Sequence, residues 1–250
     1  MNQFIGLLLT LIAGLFFLIG GFIALKVKNK DKLNLFSIAL ALVIIINLLG
    51  RELIPEILEL LDHYNLNFKI MVIIIFGLLG ILLLKILDFF IPDHHHDHHD
   101  DEINKTEHIS HMKHIGTLTL ISLVLHNLLE GFAIAGMSFN NIEIGIMVCI
   151  SVALHNIPLG THIFSAINLK KNKLLVVCLT LSSFIGGLIF LFIGNISNLV
   201  LAIISIITLG MLIYISIMEL LPELVSNLRK KETIIGLITG IIIILISALI

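Results

Sequence analysis

Ser122–Gly131 reads SLVLHNLLEG and Ser151–Gly160 reads SVALHNIPLG, so Ser-x-x-Leu-His-Asn and a closing glycine recur 29 residues apart. Each string sits in the middle of a long apolar stretch. Ionisable and amide groups are costly in hydrocarbon, so a matched set at that depth marks a functional site. Two imidazoles (His126, His155), two amides (Asn127, Asn156) and one carboxylate (Glu130) make a donor set able to hold a divalent metal ion. His126 and Glu130 are four apart and share one helix face. Asn127 is turned by about 100° from His126 and reaches the same cavity from its side. Pro158 has no N–H for the carbonyl of Leu154, which predicts a kink and one freed carbonyl.

The elements that carry these residues are membrane helices. The chain of 250 residues is 58% hydrophobic and 13% charged, far less charged than a water-soluble domain of this length. Its mean hydropathy is +1.12. Apolar stretches run over about 4–25, 35–61, 69–91, 115–138, 142–166, 174–193, 199–224 and 233–250. Most can cross a core of about 30 Å. The expected fold class is an all-α membrane protein of eight transmembrane helices in one domain, 1–250. The first stretch lacks a basic leader and a small-residue cleavage site, so it reads as a retained helix. Twelve of the 15 basic residues lie on alternate loops, around 26–32, 105–113, 170–173 and 229–231. The positive-inside rule then puts those loops in the cytoplasm and both termini outside a cell membrane. Cys149 and Cys178 form no CxxC and read as apolar fillers.

A second repeat links the two ends of the chain. FLIGGFI (Phe17–Ile23) returns as SFIGGLI (Ser183–Ile189), and ELIPEIL (Glu52–Leu58) as ELLPELV (Glu219–Val225), at offsets of 166 and 167 residues. Spans 1–3 thus correspond to spans 6–8 with inverted orientation, and span 4 to span 5. Inverted repeats about a midplane site are a transporter architecture. Glu52, Glu56 and Glu59 then lie toward the outer mouth, and Glu219 and Glu223 toward the inner one. Glu52 and Glu219, a turn deeper, read as part of a cation path. For the others, interfacial glutamates that end a helix are an equal reading.

HNLLEG and HNIPLG resemble the span-4 and span-5 patterns HNxxEG and HNxPEG of the ZIP family of divalent metal transporters. The resemblance extends to eight spans, outward termini, a histidine-rich loop after span 3 and the ELLPE end of span 7. It implies a 3+2+3 helix arrangement with pseudo-twofold symmetry, metal entry into the cytoplasm and homodimers. Carried over by residue, the binding positions are His126, Asn127, Glu130, His155 and Asn156, with Glu219 on the release side. The chain departs from the family at Leu159, where HNxPEG has glutamate, and at Gly186 and Gly187, near where relatives often carry an acidic residue in span 6. Two divalent ions sharing only Glu130 would repel strongly, so one metal position is expected. His162, seven residues after His155 and on about the same face, is an extra ligand or exit station in one reading and a packing residue in another.

Eight of the twelve histidines, including His94, His95, His96, His98 and His99, cluster at 94–114. Such density builds no core and reads as a labile metal-binding tract, here a cytoplasmic loop over 92–114. Imidazole and one carboxylate without thiolate suit zinc, with iron, cobalt, nickel or cadmium as competitors. The metal is cargo rather than cofactor, and the expected partners are the ion, the lipid bilayer and a second copy, with no nucleic acid. No nucleotide motif supports ATP-driven transport. Two other classes compete. A metal efflux carrier of the cation-diffusion type resembles a six-span protein with HxxxD pairs and a cytosolic tail, absent here. An intramembrane zinc hydrolase needs a general base besides its ligands, and Glu130 cannot fill both roles.

Overall fold

The computed structural model describes residues 2–90, 101–166, 173–194 and 197–247, and every regular element in them is helical. In chain order these are α1 (Asn2–Lys26), α2 (Lys30–Asn47), α3 (Ile54–Leu60), α4 (Leu66–Phe90), α5 (Asp101–Asn140), α6 (Ile142–Ala166), α7 (Lys173–Ile193), α8 (Asn198–Tyr214), α9 (Leu221–Ser226) and α10 (Lys231–Ser247). A π-helical segment joins α2 to α3 over Leu48–Leu53, and another joins α8 to α9 over Ile215–Leu220. Where they are described, all eight apolar stretches fall in helices. Among the described residues seven helical runs are long and apolar enough to cross a membrane. The eighth, α10, is described over 17 residues. Helix α5 reaches back to Asp101, so the 92–114 segment is not loop throughout, and helix continues the span toward the histidine tract. Helix α6 passes through Pro158 without a break.

The two π segments occupy matching places in the 167-residue repeat. The N–H of Ile54 bonds to the carbonyl of Leu49, and that of Leu221 to Ser216, each five residues back. Each bond immediately precedes the proline of Glu-x-x-Pro-Glu. Proline offers no N–H, and in a regular α-helix its ring collides with the carbonyl four residues earlier. A wider turn moves that carbonyl aside, and such bulges favour functional sites.

Close packing follows the repeats as well. Helices α1, α5, α6 and α7 pack on one another, while α4 lies against α8 and α10 against α2. The tightest approaches are glycine-mediated. A Cβ on Gly131 would stand 1.8 Å from the carbonyl oxygen of Ser183, and one on Gly186 would stand 1.9 Å from that of Leu128. At the equivalent positions, a Cβ on Gly160 would meet the carbonyl of Phe17 at 2.5 Å, and one on Gly20 that of Ile157 at 2.3 Å. Thus α7 seats on α5 as α1 seats on α6, beside the closing glycine of each HN string. Gly14 and Thr180, equivalent to each other across the repeat, also meet directly, so α1 and α7 touch at the point where the two halves coincide.

Backbone cannot retreat as a flexible side chain can. Gly131→Ala should lower the stability of the detergent-solubilised protein by about 3 kcal/mol or more, the upper end for overpacking. Gly50→Ala, with nothing within 4 Å of the new methyl, should change it by less than about 1 kcal/mol. Thermal unfolding of the purified variants checks the contrast, and equal melting temperatures would contradict it.

Candidate metal-binding site

Helices α5 and α6 run antiparallel, joined at Asn141, and bring the two HN strings side by side. On α5 the i,i+4 spacing sets His126 Nε2 3.0 Å from Glu130 Oε1. From α6, His155 Nε2 reaches the same oxygen at 2.9 Å. The two imidazole rings stand 6.4 Å apart, tilted by 36°. One ligand atom from each of the three residues lies within 4.8 Å of the others, and no other group of three or more His, Cys, Asp or Glu does so among the described residues. Ligands about 2.1 Å from a tetrahedral ion stand roughly 3.4 Å apart, so a small outward movement would open a place for zinc.

The site is enclosed. His126 and His155 are buried, and the Glu130 side chain is 10% exposed. Asn127 and Asn156 are fully buried beside them. Asn156 donates its Nδ2 to the carbonyl of Ala13 on α1 at 3.0 Å, which leaves Oδ1 without a partner. Neither amide atom of Asn127 has a partner. Buried polar atoms are nearly always satisfied in folded proteins, so amide oxygens left over beside two imidazoles and a carboxylate are a donor surplus that suits a cation. Ser122, one turn before His126 on the same face, adds a buried hydroxyl with no partner. It was missed as a candidate, although the repeated string opens on it.

The remaining sequence candidates lie apart from this cluster. Glu219 is buried in the second π segment but belongs to no three-residue group. Glu223 accepts a hydrogen bond from Asn227 at 2.9 Å, a helix-end contact that fits the interfacial reading. His162 is wholly buried on α6 and outside the cluster, with both ring nitrogens unpartnered. The side chain of Glu52 and residues His94, His95, His96, His98 and His99 lie outside the described residues. Glu56 and Glu59 line a cavity of about 480 Å³ between α3, α5 and α8, together with Leu129, Phe132 and Ser205. None of His126, Glu130 or His155 lines it.

Leu159 occupies the place on α6 that Glu130 occupies on α5. It is fully buried and packed in the main apolar core. The two strings thus share a backbone plan but supply a single carboxylate.

A multi-pass helical membrane protein with one buried carboxylate between two imidazoles fits the class of membrane ion carriers. Within that class, a family model described as ZIP zinc transporter matches residues 91–248. Along nearly its whole length the chain is similar to a zinc transporter ZupT of Campylobacter jejuni, with 30% identity over 98% of this chain and 95% of that protein. It is also similar to a zinc transporter ZupT of Streptococcus mutans, with 29% identity over 99% and 98%. The chain belongs to the ZIP family. Its class of activity is therefore divalent metal transport, with zinc as cargo, and the hydrolase reading falls away.

Leu159→Glu should raise the zinc bound per protomer from about one to about two, because paired carboxylates can bridge two ions. Equilibrium dialysis, with His94, His95, His96, His98 and His99 changed to Ser in both proteins to remove their background, measures it. Two ions bound by the protein that keeps Leu159 would contradict a single position.

Proposed function

We propose that this chain carries zinc, and to a lesser degree iron or cadmium, across the cytoplasmic membrane into the cell, one ion at a time. The observation that carries the reading is the convergence of His126 Nε2 and His155 Nε2 on one oxygen of Glu130. Asn127 and Asn156 complete the donor set with neutral amide oxygens. Glu219, buried where α8 widens into its π segment, receives the ion on the release side.

The direction rests on charge. The loops rich in lysine and arginine face the cytoplasm, which puts both termini outside and gives α2 and α8 opposite directions. The cavity holding Glu56 and Glu59 then opens outward and gathers dications before they reach the cluster. The 3+2+3 arrangement with inverted repeats is supported by the glycine contacts shared between α1 on α6 and α7 on α5. The tract over 92–114 is a cytoplasmic metal-binding segment beyond the exit. A homodimer belongs to the same reading: α4, whose most apolar window is only 17% buried, offers the face for a second copy.

In proteoliposomes, Glu130→Ala should cut zinc uptake at least about tenfold at equal protein content, the equivalent of roughly 1.4 kcal/mol or more of lost ion stabilisation. It removes the one anionic ligand of a dication at low dielectric. Uptake by Glu130→Ala at the unmodified rate would sink the assignment of this cluster. Absence of flux in the unmodified protein, with sealed vesicles and confirmed insertion, would sink zinc transport itself.

A further inference from the structure

His162 is the one histidine of α6 that the cluster does not use. It stands seven residues beyond His155, about 10 Å along the helix and on nearly the same face. That displacement points toward the basic segment around Lys170–Lys173. Its side chain is wholly buried, and neither Nδ1 nor Nε2 has a partner. A neutral imidazole always presents one donor and one acceptor. Burying both without partners is costly, and a leucine would fill the same space without that cost.

Other polar atoms gather on the same side. Ser165, one turn on, donates to the His162 carbonyl at 2.8 Å, and its hydroxyl meets that of Ser37 on α2 at 3.0 Å. That contact fixes this part of α6 against the first turns of α2. There Asn34, whose carbonyl accepts from Ser37, holds a buried Oδ1 with no partner. Helix α10 packs on both α2 and α6, and Thr233 in its first turn holds a buried hydroxyl with no partner.

We infer that His162 is a second, transient binding station for the transported dication, between the His126–Glu130–His155 cluster and the end of the protein that carries the basic loops. The inference rests on the transport reading above. His162 supplies a nitrogen ligand, and the buried oxygens of Asn34 and Thr233, a turn or more nearer the basic loops, are the next neutral donors along the route. A station without a carboxylate binds a dication more weakly than the cluster does. An ion can therefore leave it without being trapped, as passage through successive sites requires.

The test compares His162→Leu, His162→Gln and His162→Cys with the unmodified protein, using Zn²⁺ and Cd²⁺ uptake into proteoliposomes and equilibrium Zn²⁺ binding in detergent. His162→Leu and His162→Gln should lower the maximal uptake rate about tenfold and leave equilibrium binding at the cluster within about twofold, the signature of a lost step rather than lost ground-state binding. His162→Cys, which keeps a metal ligand of different shape and greater softness, should restore most of the Zn²⁺ rate and raise Cd²⁺ relative to Zn²⁺. A maximal rate at the unmodified level in His162→Gln, or a cysteine variant as slow as the leucine variant with unchanged metal preference, would overturn the station. Should His162→Leu fail to fold, the glutamine and cysteine variants decide it alone. Failure of the broader reading would look different: Glu130→Ala would then transport normally.

Discussion

A carboxylate at the centre of a membrane protein sets the terms for the rest of this molecule. Taking one charge out of water costs several kcal/mol unless partners replace the lost hydration. Glu130 meets that requirement with two imidazoles on a single oxygen, one from its own helix and one from the next. The arrangement needs α5 and α6 to stay in register along their seam, because a slip of one turn would move His155 about 5 Å along the helix axis. It also needs a surrounding bundle tight enough to exclude water. Helices in lipid obtain such tightness from small residues that let backbones approach, and Gly131 and Gly160 lie one position beyond Glu130 and Leu159 for that purpose. Site and packing are therefore written in the same ten-residue strings.

The two halves of the chain show which parts of a repeat are structural and which are chemical. Backbone features survive in both copies: the π turn before each Glu-x-x-Pro-Glu proline, the paired glycines, and the seating of α1 on α6 and of α7 on α5. The side-chain chemistry does not. Glu130 has no acidic counterpart at Leu159, and Asn156 bonds to the α1 backbone through Ala13 while Asn127 bonds to nothing among the described residues. Symmetric backbones give two arrangements of similar energy, which suits a carrier that exposes its site to each side in turn. Asymmetric chemistry would, on the proposed reading, give the ion one place to bind in either.

Much of this was legible in the sequence. The HN strings located His126, Glu130 and His155, because few residues in an apolar chain are ionisable and their i,i+4 spacing fixes a shared face. The 166- and 167-residue offsets anticipated which helices would pack alike. The π segments were not legible. A widened turn is a local response to proline, decided by how neighbouring helices accommodate the displaced carbonyl, and the apolar pattern around it still reads as continuous helix. At Pro158 no such widening occurs, and α6 carries the proline within one continuous helix. The start of α5 at Asp101 was hidden because a polar, histidine-rich stretch carries no hydrophobic period even when it continues a helix. The partner of Asn156 could not be read at all, since a hydrogen bond to the Ala13 carbonyl depends on a helix 143 residues away.

The single carboxylate also bears on what the carrier can release. On the proposed reading, a dication held by two neutral imidazoles and one carboxylate would leave a net charge of about +1 in a low-dielectric enclosure, so the occupied site would be only partly neutralised. A second carboxylate at position 159 would complete the neutralisation and deepen the well. Leucine there, wholly covered by the main core, keeps the well shallower and closes that face of α6 to water. The same choice reduces the penalty of the empty state, in which each further buried carboxylate would need its own partners. For a protein that must be stable both loaded and empty, one anionic ligand between two imidazoles is a workable compromise in the proposed reading, since the imidazoles partner Glu130 in the empty site and would give up that contact to ligate the ion beside it.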